Sequence, residues 1–233
     1  MNSEGYTKPD LLAETEWLAV HLDDPKVRVV DCDLSDAFNR AHVPGAVNAG
    51  GNHYIKGEDG VHVMPKGKIG EFMGNLGIGD DTLVVTYDQR NSVYAARLWW
   101  VLNYYGHTNV KVLNGGWRKW LAEDRPVTDG LTTVAKATFT PQNPEESLIV
   151  MADRLESEIG REGTVVWDLR SRDEYTGKET RGNSRSGHIP GAVHMEWSDV
   201  MDTEGLSTFK PAEEIREALA SCGITPEKQV YTH

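Results

Sequence analysis

The octapeptide AHVPGAVN at residues 41–48 returns as GHIPGAVH at residues 187–194, 146 positions further along the chain. The same displacement pairs Ile69 with Ile215. Upstream of the octapeptide the displacement is 137 positions, and it pairs the Val-Val-Asp at 29–31 with a Val-Trp-Asp further on. Chance does not readily hold a register over so many positions, so we infer a duplicated domain.

The two displacements differ by nine residues, which indicates one insertion in the second copy, within Thr176–Ser186. The matches predict a first domain over residues 8–125 and a second over residues 147–233. Residues 126–146 contain three prolines and no clear periodicity, and they predict an interdomain linker. A chain of 233 residues is long enough for two ordinary domains with a core each.

Each copy alternates between helical and extended patterns. In the first copy the predicted helices are Leu11–Leu22, Lys68–Leu76, Ser92–Tyr105 and Trp117–Ala122. The predicted strands are Val27–Asp31, Leu83–Tyr87 and Val110–Leu113, and the second copy has a corresponding strand at Gln229–Thr232. Short apolar strands that alternate with helices are typical of an α/β fold with a parallel sheet covered on both faces.

The composition excludes several classes of function. The chain has 36 Asp and Glu against 24 Lys and Arg, a net charge of −12, which opposes general binding to nucleic acid or to an anionic membrane. No apolar run approaches the roughly 20 residues of a membrane helix, and the polar N-terminus does not resemble a signal peptide, so we expect a cytoplasmic location. Two cysteines, far apart in sequence and without metal-ligand spacing, argue against a disulfide framework and against a zinc site.

Four motifs of the first copy stand in the order that is typical of rhodanese domains, and the second copy repeats the first three. In the first copy they are Val29–Asp31, His42–Ala46, Leu83–Tyr87 and Leu113–Trp117. In the second copy they are Val166–Asp168, Gly187–Ala192 and Val230–Thr232. The chain therefore resembles the tandem-domain rhodaneses, a family of thiosulfate and 3-mercaptopyruvate sulfurtransferases, with the second domain incomplete.

The resemblance implies an inactive first domain, an active second domain and no cofactor or metal. It implies that a small anionic sulfur donor forms a persulfide on a cysteine, which passes the sulfur to cyanide or to a thiol. That cysteine directly follows the central strand and opens a tight loop into a helix, where backbone N–H groups and the helix N-terminus stabilise a thiolate.

In the first copy the nucleophile position is Asp88, which cannot carry sulfane sulfur, so we expect a silent site. The alternative interpretation of Asp88 is a cap for the following helix. In the second copy the position comes directly after His233, where the printed sequence ends. We expect the natural protein to continue there with cysteine, and the 233-residue chain itself to be inactive.

Neither cysteine of the chain is a credible sulfur carrier. Cys222 corresponds in the repeat to Leu76, a helix-end apolar residue, and Cys32 corresponds to Leu169 at a strand end. Both are predicted to fill packing positions.

The histidines His42 and His188 occur in both copies, including the silent one, which favours an architectural role. We expect each imidazole to hydrogen-bond across the turn of its His-x-Pro-Gly motif. The strand-end aspartates Asp31 and Asp168 are expected to anchor loops for the same reason.

Arginines unique to the second copy are the better candidates for substrate binding. Arg181 and Arg185 lie in the insertion region, and a guanidinium group suits an anionic donor. The resemblance adds that an arginine seven residues before the motif histidine holds mercaptopyruvate, and Arg181 has that spacing. A second substrate arginine of those relatives is replaced here by Glu174, and a solvated loop is the alternative for both arginines. Arg170 is expected to form a buried ion pair, with Glu174 as the suggested partner.

Three functions remain open at this point. The leading hypothesis is a sulfurtransferase, the second is a non-catalytic rhodanese module that binds a protein partner, and the third is a phosphatase-like relative. The loop after the nucleophile position would separate them.

Overall fold

The computed structural model describes residues 5–50 and 52–233. The described chain forms two compact units. The first unit comprises Thr7–Glu146 together with Thr203–Thr208, and the second comprises Ser147–Asp202 and Phe209–His233 with residues 5–6.

The first unit contains a five-stranded sheet in the order β1-β5-β4-β2-β3, and every pairing is parallel. Its strands are β1 (Leu12–Ala13), β2 (Val27–Asp31), β3 (Val47–Asn48), β4 (Leu83–Tyr87) and β5 (Val110–Leu113). Its helices are α1 (Thr15–Ala19), α2 (Ser35–Phe38), α3 (Lys66–Asn75), α4 (Val93–Tyr104) and α5 (Gly116–Ala122). The parallel α/β fold predicted from the sequence is confirmed.

Hydrophobic residues cover both faces of this sheet. Val30 and Val84 face one buried cluster with α3 and α4, whereas Val29 and Val85 face a second cluster with α1, α2 and α5. Neighbouring strand residues point to opposite faces, so an uninterrupted apolar run such as that of β4 is buried on both sides.

Most predicted elements of the first copy form close to their expected bounds. Strands β2, β4 and β5 have the predicted ends, and Gly77, with φ of +70°, follows α3 as its sequence position suggested. The helix predicted over Leu11–Leu22 is wrong in extent, because Leu12–Ala13 pairs with β5 and leaves only α1 as helix.

Residues 126–146, which the sequence predicts as a linker, pack on the first unit. The side chain of Phe139 is buried in the cluster with α3 and α4. The Ala137 N–H donates to the Gly74 carbonyl oxygen at 3.0 Å. A methyl group on Gly74 would lie 2.5 Å from the Ala137 oxygen, so this close approach requires glycine.

The second unit contains a three-stranded parallel sheet in the order β7-β6-β8. Its strands are β6 (Thr164–Asp168), β7 (Val193–His194) and β8 (Gln229–Thr232), and its helices are α6 (Ala152–Glu158), α7 (Arg172–Thr176) and α8 (Ala212–Ser221). Among the described residues β8 pairs with β6 alone, whereas its repeat counterpart β4 lies between β2 and β5. No helix in the described part of the chain has the length and apolar character needed to cross a membrane.

Candidate active site

In the first unit, the carboxyl edge of the sheet carries four neighbouring side chains, those of Asp31, Asp33, Tyr87 and Asp88. They lie together because β2 and β4 are parallel neighbours. Asp31 pairs in register with Tyr87, and Asp88 follows directly. The Tyr87 hydroxyl accepts from the N–H of Val43 at 3.1 Å, and the N–H of Asp33 donates to the Asp31 carboxylate at 2.8 Å. This edge is the position at which parallel α/β sheets place their binding sites.

The Asp88 carboxylate accepts four backbone hydrogen bonds from the loop and from the first turn of α4. One carboxylate oxygen accepts from the N–H groups of Arg90 and Ser92, at 2.7 and 2.9 Å, and the other from Tyr94 and Ala95, at 2.7 and 2.8 Å. The side chain of Asp88 is 2% exposed. We refer to these four N–H groups as the amide ring. The predicted helix-capping role of Asp88 agrees with these contacts.

Asp33 adds another carboxylate beside the amide ring. Its Oδ2 accepts from the N–H of Gln89 at 2.8 Å, and the residue is 4% exposed. Burial raises the pKa of Asp33 to about 7 and that of Asp31 to about 6, and the neighbouring carboxylates contribute to both shifts. Burial also raises the pKa of Asp88, in spite of its four hydrogen bonds.

The equivalent edge of the second unit has a different charge. Asp168 is fully buried and accepts from Arg170 through Nε at 3.0 Å and through an Nη nitrogen at 2.6 Å. His233 Nδ1 lies 3.8 Å from the same carboxylate. Burial alone would raise the pKa of Asp168, but the hydrogen bonds and the charge of Arg170 outweigh it and hold that pKa below its usual value.

The predicted ion pair of Arg170 exists, but the suggested partner Glu174 is wrong. The Arg170 guanidinium is bound by Asp168 and also donates to the Gly187 carbonyl oxygen at 2.9 Å. Glu174 is engaged elsewhere, since it caps α7 together with Ser171 and pairs with Arg181. The Ser-x-x-Glu pattern at 171–174 is a capping-box signal that could have revealed this from the sequence.

His42 and His188 share two contacts in their respective units, a ring stack and an Nδ1 hydrogen bond. His42 stacks on Phe38 at 3.7 Å and its Nδ1 bonds to the Phe38 carbonyl oxygen at 2.8 Å. His188 stacks on Tyr175 at 3.8 Å and its Nδ1 bonds to the Tyr175 carbonyl oxygen at 2.9 Å. The expected bond across the His-x-Pro-Gly turn is therefore replaced by a bond back to the preceding helix.

Two further residues of the second site did not emerge from the sequence. Tyr175 also packs against His194, with ring centroids 4.6 Å apart, and His194 Nε2 bonds to the Arg170 carbonyl oxygen at 2.8 Å. The repeat carried the signal for both, because Tyr175 corresponds to Phe38 and His194 to Asn48.

The candidate substrate arginines lie on an exposed loop. The Arg181 side chain is 60% exposed and its Nε lies 3.0 Å from Glu174 and 3.7 Å from Glu179. Arg185 is exposed, and within the described residues it makes no ion pair. The loop therefore offers one guanidinium group that is already paired and one that is free.

The two cysteines occupy different surroundings. Cys32 is buried, and desolvation together with Asp88, Asp31 and Asp33 raises its pKa well above the ordinary value. Cys222 is half-buried, with its sulfur 3.9 Å from the His194 carbonyl oxygen. In the described part of the chain, no group of three or more His, Cys, Asp or Glu side chains is placed to hold a metal ion.

Comparison with known proteins connects both sites to one family. The sequence profile of the Rhodanese-like domain matches residues 14–123 and again residues 151–233. A protein of Thermus thermophilus named "Sulfur carrier protein TtuD" is 33% identical, over 98% of this chain and 84% of its own length. A Haloferax volcanii protein named provisionally as a thiosulfate sulfurtransferase is 30% identical, over 100% of this chain and 84% of its own length.

Among solved structures, the Escherichia coli protein SseA, described as a 3-mercaptopyruvate sulfotransferase with the rhodanese fold, superimposes with a TM-score of 0.84. It is 21% identical, and the match covers 95% of this chain and 87% of that one. At this identity the likeness concerns the fold alone. Since the family profile matches twice and covers most of the sequence, the chain is a tandem-domain member of the rhodanese family of sulfurtransferases.

Proposed function

We propose that the protein moves sulfane sulfur from a small anionic donor, thiosulfate or 3-mercaptopyruvate, to a thiol or to cyanide through a cysteine persulfide. In this proposal the second unit is the active copy and the first is silent. The names of the relatives support it, since they include a sulfur carrier and a provisional thiosulfate sulfurtransferase.

The observation that carries the proposal is the amide ring around Asp88. A buried persulfide, like a buried carboxylate, is an anion that needs several N–H donors in place of water. The loop that follows the central strand of this fold supplies four such donors to one side chain. A thiolate held in the same way would attack the outer sulfur of thiosulfate, the sulfur–sulfur bond of the donor would break, and sulfite would leave with the electron pair.

The surroundings of the second site favour an anionic donor. Arg170 compensates the buried Asp168, so that site carries no uncompensated carboxylate from the strand end. Arg181 and Arg185 would bind the donor, and His188 would fix the loop that carries them by stacking on Tyr175.

The proposal assigns no sulfur transfer to the two cysteines of the 233-residue chain. A persulfide on Cys32 would be buried near three carboxylates, and this burial, together with the carboxylates, raises the pKa of its thiol. The Cys222 sulfur has two weak contacts, with the His194 carbonyl oxygen and with the Ser221 hydroxyl, and within the described residues no ring of N–H donors surrounds it. We therefore propose that the 233-residue chain does not turn over.

Thiocyanate formation from thiosulfate and cyanide tests the proposal. The protein purified from its natural source should produce thiocyanate and show one additional sulfur atom, by mass spectrometry, on a cysteine that is neither Cys32 nor Cys222. The 233-residue chain should produce none. Turnover by that chain that disappears in the Cys222→Ser variant would contradict the assignment.

A non-catalytic module that binds a protein partner is the second candidate. The pairing of Arg181 with Glu174 and Glu179 favours it, because a neutralised arginine is a weaker ligand for a small anion. Absence of both persulfide and thiocyanate with the protein from its natural source would favour this candidate over the sulfurtransferase.

A further inference from the structure

Position 33 in the first copy and position 170 in the second correspond in the repeat and carry opposite charges. Each lies two residues after the strand-end aspartate, Asp31 or Asp168. All four of these residues lie at the carboxyl edge of their sheet, where the neighbouring strand, β4 or β8, leads to the nucleophile position.

In the first copy, position 33 reaches the loop of the nucleophile position itself. Asp33 accepts from the N–H of Gln89, the residue next to Asp88. The loop N–H groups are thus divided between two carboxylates, four bonding to Asp88 and one to Asp33. Both side chains are almost completely buried, so water screens their repulsion poorly.

In the second copy, position 170 compensates charge instead of adding it. The Arg170 guanidinium makes two hydrogen bonds to the Asp168 carboxylate, and His233 lies 3.8 Å from the same group. At the positions that both copies contain, the first copy has the carboxylates Asp31 and Asp33, whereas the second has one carboxylate, Asp168, with an arginine and a histidine beside it.

We propose that the residue at position 33 or 170 sets the charge at the nucleophile position and decides which copy can hold a sulfur anion. Asp33 silences the first copy independently of Asp88, and Arg170 prepares the second. Neither touches the reacting sulfur in this assignment, so both are positioning residues that act through the field at the site. The inference rests on the proposed function for its sulfur chemistry, but its charge component can be measured separately.

Other charged or titratable groups near the first site have to be weighed against Asp33. Asp31 and Tyr87 lie on the strands, and burial together with the Asp31 charge raises the pKa of Tyr87 well above its ordinary value. His42 interacts with Asp31, while Arg90 is an exposed cation whose guanidinium donates to the Tyr94 hydroxyl. A substitution at position 33 leaves all of these groups in the protein, so the change that it causes reports on the Asp33 charge.

The test introduces a thiol into the complete loop of the first copy. The Asp88→Cys variant, made in a Cys222→Ser background, is compared with the same variant carrying Asp33→Asn in addition. The control carries Asp36→Asn, which removes an exposed carboxylate three residues further on. The rate of alkylation by iodoacetamide is measured against pH, and peptide mass spectrometry separates the introduced thiol from Cys32.

With Asp33→Asn, the pKa of the introduced thiol should fall by about one unit, a tenfold gain in thiolate at a given pH below both values. Asp36→Asn should leave the pKa unchanged, and Asp33→Glu should keep it high. Equal pKa values with Asp33 and with Asn at this position would overturn the inference. If the combined variant does not fold, the thiol pKa of the Asp88→Cys variant alone tests the inference. Its thiol must then have a pKa no lower than the ordinary value of about 8.5, and a value near 7 overturns the inference.

Thiosulfate treatment of the same variants separates this inference from the proposed function. If the introduced thiol forms a persulfide only when Asp33 is replaced, the result supports both the charge inference and the proposed function. A lowered thiol pKa without persulfide supports the charge inference and contradicts persulfide formation in this loop. Equal persulfide formation with and without Asp33 contradicts the claim that this residue silences the first copy.

Discussion

The two units share their motifs, the histidine–aromatic stack and the order of three strands, β3-β2-β4 in the first and β7-β6-β8 in the second. They differ in how many hydrophobic residues they bury. Both clusters of buried hydrophobic residues belong to the first unit. In the second unit the buried hydrophobic residues are few: Val166, Ala192, Met195, Met201, Ala212 and Ile224. The repeated motifs therefore fix topology, whereas the number of strands on either side of the central one determines burial.

The strand-end aspartates make the same comparison in electrostatic terms. Asp31, beside Asp33 and Asp88, has a pKa raised to about 6, mainly by burial. Asp168 is equally buried, but the contacts of Arg170 lower its pKa. The same fold thus holds a buried carboxylate with a raised pKa in one copy and a carboxylate in an ion pair in the other.

The largest difference between the units should appear in amide hydrogen exchange. Strand β4 lies between two strands and under both clusters, whereas β8 pairs on one edge within the described residues. We expect β8 amides to exchange about a thousandfold faster than β4 amides, equivalent to about 4 kcal/mol in opening free energy. Equal protection in the two strands would contradict this comparison.

A matched pair of core substitutions should show a smaller difference. Ile69 is fully buried, whereas its repeat counterpart Ile215 is only partly buried. Ile69→Ala should lower the free energy of unfolding by about 3 kcal/mol and Ile215→Ala by about 1 kcal/mol, because less burial is lost. Urea denaturation monitored by circular dichroism measures both, and equal losses would show that the second unit packs as tightly as the first.

The pH dependence of stability should separate the sites by about 2 kcal/mol. Since the pKa of Asp33 is raised to about 7, the folded state keeps a proton that the unfolded chain releases near pH 4. Stability from this group is therefore present below pH 4 and is lost as the pH rises toward 7. Asp33→Asn should stabilise the first unit at pH 7 by about 2 kcal/mol and flatten this decline.

The control for this prediction is Asp36→Asn, which removes an exposed charge nearby. Asp168 should behave with the opposite sign, because a lowered pKa contributes stability that is lost as the pH falls. Asp168→Asn should therefore destabilise the second unit at pH 7. A loss of stability at pH 7 in the Asp33→Asn variant would contradict the raised pKa.

The smallest expected effect concerns Arg181. In the protein from its natural source, Arg181→Ala should raise KM for an anionic donor about fivefold, or about 1 kcal/mol, because the guanidinium is largely exposed and already paired. Lys178→Ala is the matched control, since Lys178 is an exposed cation of the same loop paired with Asp173. Equal KM values for both variants and the unmodified protein would assign Arg181 to a solvated loop.

The local hydrophobic pattern of the sequence predicted the buried strands of the first unit correctly. Strands β2, β4 and β5 formed at their expected residues because each is an apolar run that packs on both sides. Leu12–Ala13 became strand instead of helix because β5, about a hundred residues away, offers it a hydrogen-bonding edge. Single-sequence periodicity does not contain that distant partner.

The candidate site was predictable in position but not in its pairings. The repeat located Asp88, Asp168 and His188, yet it did not show that Arg170 would choose Asp168 over Glu174. That choice depends on Glu174 being engaged by Ser171 and Arg181, a competition among side chains that only the folded loop resolves. The charge reversal between Asp33 and Arg170 was visible in the sequence, but its meaning came from the Gln89 contact.

Gly74 of α3, which allows residues 126–146 to pack closely on the helix, has a consequence for dividing the protein into domains. Because Ala137 is bonded to Gly74 and Phe139 is buried, this segment does not act as a flexible tether whose length would set an effective concentration. An excised first unit that ended at Arg125 would lack Phe139, which is part of its buried hydrophobic cluster. The segment belongs to the first unit as a structural part, and an excised first unit has to include it.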